Sequence, residues 1–146
     1  MFCKVFSQLC SNRFRIIYYT DVILLLFFVQ GIVMTLDPLS PSQVHKLFDV
    51  HSGDFVNVDV IAPGIDHAVT ARRYGEVQIW NLESGKLESS TTVGLEVTAM
   101  AASPFARLVV VGTITGHLFY IDVTKATRPR IIDRVNQHMG PVKQIV

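Results

Sequence analysis

Charge is thinly spread along this chain: Lys, Arg, Asp and Glu make up 17% of its 146 residues, nearly balanced, with a formal net charge of +1. That balance excludes a strongly charged disordered segment and argues against nucleic acid as a partner, because phosphate binding calls for a wide basic footprint. Cysteine is scarce. Cys3 and Cys10 both stand in the N-terminal flank, at a spacing that matches no metal-ligand motif. With no Asn-x-Ser/Thr acceptor anywhere either, the expected setting is intracellular. The catalytic signatures are missing too: there is no Gly-rich phosphate loop, no His-Glu-x-x-His helix and no Gly-x-Ser-x-Gly elbow. His45, His51, His67, His117 and His138 are scattered, and Asp54, Asp59 and Asp66 read as caps near strand ends and turns. The expectation is therefore no enzyme, no metal and no cofactor.

What is abundant is strand chemistry. Apolar residues make up 49% of the chain, with Val, Ile, Phe and Thr filling runs that Gly and Pro punctuate, and no sustained helical periodicity. The segment Gly75-Glu76-Val77-Gln78-Ile79-Trp80-Asn81-Leu82 returns 41 positions later as Gly116-His117-Leu118-Phe119-Tyr120-Ile121-Asp122-Val123. Pro63 falls on Pro104 and Ala68-Val69 on Val109-Val110 at the same offset, so two strands joined by a glycine turn are repeated. An earlier copy, Gly31-Ile32-Val33-Met34-Thr35-Leu36-Asp37, lies 44 positions before the first. A period near forty is that of a propeller blade.

These motifs resemble the WD40-repeat family over roughly residues 31–146. The resemblance implies that His51, Thr70 and Trp80 contribute to a buried hydrogen-bonded set, and that His138 marks the entry to a further repeat. The Asp that the family places before the turn glycine is replaced here by Gln30, Tyr74 and Thr115. The structural repeat positions are then Gly31, Asp37, His51, Thr70, Gly75, Trp80, Gly116, Asp122 and His138. The fold class expected is all-β: a partial WD40-like β-propeller of about three four-stranded antiparallel blades whose ring is not closed. Residues 1–20 are left as a flank and 21–146 as the repeat region, with blades near 21–50, 51–92 and 93–135 and the start of another at 136–146. A chain of this length is expected to be a piece of a longer protein that supplies the remaining blades, since closed propellers use about four to eight. In isolation it is expected to associate through open sheet edges.

The most apolar stretch, residues 16–36, has a competing reading as a membrane anchor or signal segment, with Lys4, Arg13 and Arg15 ahead of it. Asp21 within it and an uninterrupted apolar core of only Val22–Val29 speak against a span, and its match to the later repeats makes it two strands and a turn. Sequence from an alternative start is the third option.

Two basic features stand out as partner-binding candidates: Arg72-Arg73-Tyr74 at a hairpin tip, and Arg128 and Arg130, with Lys125 close by, in the loop leaving the next hairpin. Their plainer reading is solvated loop. The function expected is a non-catalytic protein-protein interaction scaffold, cytoplasmic, with other proteins of unknown identity as partners. Among WD-repeat proteins the incomplete hydrogen-bonded set and long apolar strands are most similar to the cilia- and flagella-associated group, which implies an axonemal location.

Overall fold

The computed structural model describes residues 14–19, 23–28, 32–36, 44–49, 55–61, 66–136 and 138–146, with the first four strands as backbone only. The chain divides into two compact units, residues 1–53 and 54–146.

The first unit holds one antiparallel sheet of four strands, β1 (Phe14–Tyr19), β2 (Ile23–Phe28), β3 (Ile32–Leu36) and β4 (Val44–Asp49), in sequential order. Its segments FRIIYY, ILLLFF and IVMTL are rich in branched and aromatic residues that suit a pleated surface. The apolar stretch 16–36 thus enters three strands, and β1 falls inside the segment that the sequence leaves as a flank. Among the described residues no helix is long and apolar enough to cross a membrane.

The second unit stacks two such sheets. One runs β5 (Phe55–Val60), β6 (His67–Arg72), β7 (Glu76–Asn81), β8 (Leu87–Thr92); the other runs β9 (Val97–Ala102), β10 (Leu108–Thr113), β11 (His117–Asp122), β12 (Arg130–Asn136). All pairs are antiparallel, with Val69 opposite Ile79 in the first sheet and Val109 opposite Ile121 in the second. Alternation sends Val69, Ala71, Val77 and Ile79 to one face, where they meet Val97, Met100, Val109, Val111 and Ile121 in one apolar core. Ala68, Thr70, Gln78 and Trp80, on the opposite face, are buried as well. Successive four-stranded antiparallel sheets without a helix among the described residues are consistent with a partial propeller-like fold.

Polar side chains stitch the two sheets through backbone groups. Asn57 Nδ2 donates to the Met100 carbonyl (2.6 Å), and Asp59 accepts from the Ala102 N–H (2.9 Å). The same device recurs one repeat later, where Thr98 Oγ1 donates to the Val142 carbonyl (2.6 Å) and the Val142 N–H donates to Thr113 (3.0 Å). Each fourth strand carries one residue too many against its neighbour: Leu47 in β4, Glu88 in β8 and Ile132 in β12. Such bulges bend and twist an edge strand, which discourages pairing with another chain.

Gly75 joins β6 to β7 with φ of +98°. A Cβ there would stand 2.7 Å from the Leu95 carbonyl oxygen, so the turn glycine serves both the backbone conformation and a close approach between connections.

Candidate protein-interaction surface

Antiparallel order places the turn β6–β7, with Arg72, Arg73 and Tyr74, at one end of the second unit. The loop from β11 to β12, with Lys125, Arg128 and Arg130, lies at the other. The two basic features therefore do not form one surface.

At the first end the charges are already matched. Arg72 Nη1 lies 3.2 Å from Glu76 Oε2, and Arg73 Nε donates to Glu96 Oε1 at 2.8 Å across the two sheets. Tyr74 is 72% exposed, so the residue standing where the WD40 family has its Asp faces solvent.

The second end is built on Asp122, the last residue of β11. Its Oδ1 accepts the Thr124 N–H (2.9 Å) and hydroxyl (2.5 Å), and its Oδ2 accepts from Arg130 Nη2 (3.2 Å). These bonds, led by the Thr124 hydroxyl, lower the Asp122 carboxyl to about 2. Asn81 does the same work one repeat earlier, accepting the Glu83 and Ser84 N–H groups at 2.9 Å. Above Asp122 opens a cleft of about 280 Å³ lined by Asp122, Thr124, Lys125, Arg128 and Arg130. Among the described residues neither Lys125 nor Arg128 has a carboxylate partner.

Another polar cluster at this end ties the sheets together. The ring nitrogens of His67 lie 3.1 Å from Asp66 Oδ2 and 2.8 Å from Glu88 Oε2, and Arg107 Nη2 donates to Asp66 Oδ1 at 3.3 Å. Partial burial opposes ionisation of Asp66, but hydrogen bonds from His67 and the backbone, with the charges of His67 and Arg107, hold its carboxyl below the usual value. Glu88 is lowered chiefly by the hydrogen bond from Asn81. Asp66 meets Arg107 and His67, and Glu88 meets Asn81 and His67, so the cluster works as a clasp. Among the described residues no group of three or more His, Cys, Asp or Glu could hold a metal ion.

Of the repeat positions, Trp80 Nε1 donates to Thr70 Oγ1 at 3.0 Å with both residues buried. Gly116, with φ of +85°, lies directly under the His138 carbonyl. Gly31, Asp37 and His51 lie outside the described residues. The sequence singled out Asp122 as a repeat position and Arg128 and Arg130 as loop charges; the structure joins them in one cleft.

No protein-family model matches the chain. Its sequence is similar to two ciliary proteins. It is 34% identical over 106 residues to cilia- and flagella-associated protein 43 of Xenopus laevis, which takes in 73% of this chain and 6% of that protein. It is 30% identical over 98 residues to the Mus musculus protein of the same name, with 67% and 6% covered. The chain thus spans about 6% of the length of these curated relatives. These homologues support the likeness to the cilia- and flagella-associated group.

Among solved structures, the computationally designed Ika8 protein is similar with a TM-score of 0.72 at 18% identity, covering 91% of this chain and 39% of that one. The designed Ika4 protein gives 0.67 at 18%, with 92% and 79% covered. At that identity the likeness concerns the fold alone.

Proposed function

We propose that the chain is a WD-repeat segment of a propeller, acting as a non-catalytic protein-interaction scaffold in a ciliary or flagellar assembly. The observation that carries this reading is the similarity to two proteins named for cilia and flagella, across most of this chain. The repeated architecture agrees with it: Asn81 and Asp122 organise corresponding turns, and Asn57 and Thr98 make corresponding bonds to the element that follows. In this reading the three sheets are blades of a larger ring, since propellers close with about four to eight. Rigid sheets then hold the loops at either end in fixed positions where partners meet them, and function resides in those loops without a chemical step.

Expression of a fluorescently tagged chain in multiciliated cells tests the proposal. Enrichment along the axoneme is the expected outcome. An even cytoplasmic signal, or one confined to internal membranes, would count against it.

A further inference from the structure

We propose that the cleft between β11 and β12 binds an acidic peptide, with Lys125 and Arg128 receiving its carboxylates and Arg130 held on Asp122 beneath them. This deepens the scaffold reading and rests on it, since it names the chemistry of one partner segment.

The first observation is a difference between the two basic features. Arg72 and Arg73 are paired with Glu76 and Glu96, and a partner's carboxylate would have to displace those contacts. Among the described residues Lys125 and Arg128 have no such competitor, and both are exposed beside a concave space large enough to admit side chains. The second observation is that the cleft has a rigid floor. Asp122 is held ionised by three bonds from Thr124 and Arg130, and the Arg128 N–H closes a turn onto the Lys125 carbonyl at 2.9 Å. The loop is ordered before any ligand arrives, which spares the entropy of ordering it on binding. Even with Asp122 counted against them, the three cations leave a local surplus of positive charge.

The same bonds favour a carboxylate over a phosphate. Phosphate cradles are built from backbone N–H groups converging on the ligand. Here the N–H groups of Thr124 and Arg128 and the Thr124 hydroxyl all point inward to Asp122 or Lys125, so they are already used. The other side chains that line the cleft are long cations, and a guanidinium fork matches a carboxylate in a bidentate pair. Successive Glu or Asp side chains on an extended peptide suit that arrangement better than a compact phosphate.

Fluorescence anisotropy with the full chain and a labelled oligoglutamate peptide tests this. The chain should bind the peptide at low ionic strength, lose affinity as salt rises, and ignore an oligoglutamine peptide of equal length. Lys125→Ala/Arg128→Ala, which touches no ion pair among the described residues, should weaken binding about tenfold. Lys86→Glu/Lys143→Glu, which lowers the net charge by more and lies outside the cleft, should weaken it less. Equal loss in both double variants would reduce the effect to net charge and overturn the site, as would oligoglutamine binding equally well. Competition by inorganic phosphate stronger than by free glutamate would overturn the carboxylate assignment in favour of a phosphate-bearing ligand. Axonemal enrichment without oligoglutamate binding would remove the cleft and leave the scaffold reading in place. Peptide binding without enrichment would do the reverse.

Discussion

Substituting Gly75 and Gly94 by alanine separates two roles that glycine plays in this fold. Both residues have positive φ, +98° and +68°, and an L-residue pays about 1–2 kcal/mol for that conformation. At Gly94 nothing lies within 4 Å of where the new methyl would stand. Alanine also stiffens the unfolded chain, which offsets about 0.4–1 kcal/mol, so Gly94→Ala should cost about 1 kcal/mol. At Gly75 the methyl would meet the Leu95 carbonyl oxygen at 2.7 Å. That carbonyl cannot retreat easily, because the Val93 N–H is bonded to the Gly75 carbonyl (2.9 Å) and the Val97 N–H to the Arg73 carbonyl (2.7 Å) on either side of it. Overpacking of this kind adds about 1–3 kcal/mol. Gly75→Ala should therefore lose about 3 kcal/mol. For a chain of this size the two variants should melt roughly 3 °C and 10 °C below the parent, followed by far-ultraviolet circular dichroism. Equal shifts would refute the claim that Gly75 is required by the approach of the neighbouring connection as well as by its own backbone.

Thr70→Val removes the acceptor for the Trp80 indole N–H while keeping the shape of the side chain. A loss of about 1 kcal/mol is expected, with a shift in the emission of the single tryptophan; an unchanged denaturation midpoint and spectrum would show that the bond contributes nothing. Asp66 and Glu88 titrate below their ordinary values of 3.8 and 4.5 in the fold, so the unfolded chain takes up protons first as the solution is acidified. Their stabilisation is complete above those values and is lost as pH falls through the lower folded ones. Melting temperature should fall on acidification from pH 5 towards 3, and Asp66→Asn should flatten that dependence; a parent chain that melts higher at pH 3 would contradict the assignment.

The parts of the fold legible in the sequence are those that local chemistry controls. Alternating Val, Ile and aromatic residues predict strands, and the structure has strands at the repeated segments after Gly75 and Gly116. A positive φ at those glycines is a demand that few other residues meet, so they punctuate the sequence visibly. The apolar run around Val22–Val29 was ambiguous for a physical reason: strands covered on both faces and a membrane helix draw on the same residues. What could not be read depends on partners distant in the chain. The extra residues at Leu47, Glu88 and Ile132 arise from register against a neighbouring strand, and nothing in LESSTT marks Glu88 as the bulged one. The clasp of Asp66, His67, Glu88 and Arg107 gathers residues up to 41 positions apart, and Asp59 bonds to a backbone amide of the next sheet. Net charge and loop position drew attention equally to Arg72-Arg73-Tyr74 and to Arg128 and Arg130. Only the positions of Glu76 and Glu96 reveal that the first group is already paired, and only the position of Asp122 gives the second group, Lys125 included, its floor.

The most direct test of the account is co-sedimentation of the purified full chain with isolated, salt-stripped axonemes. The chain should appear in the pellet at low ionic strength, and Lys125→Ala/Arg128→Ala should shift a large part of it to the supernatant. A parent chain that remains in the supernatant with the axonemes present would contradict the reading of this fold as a ciliary interaction module.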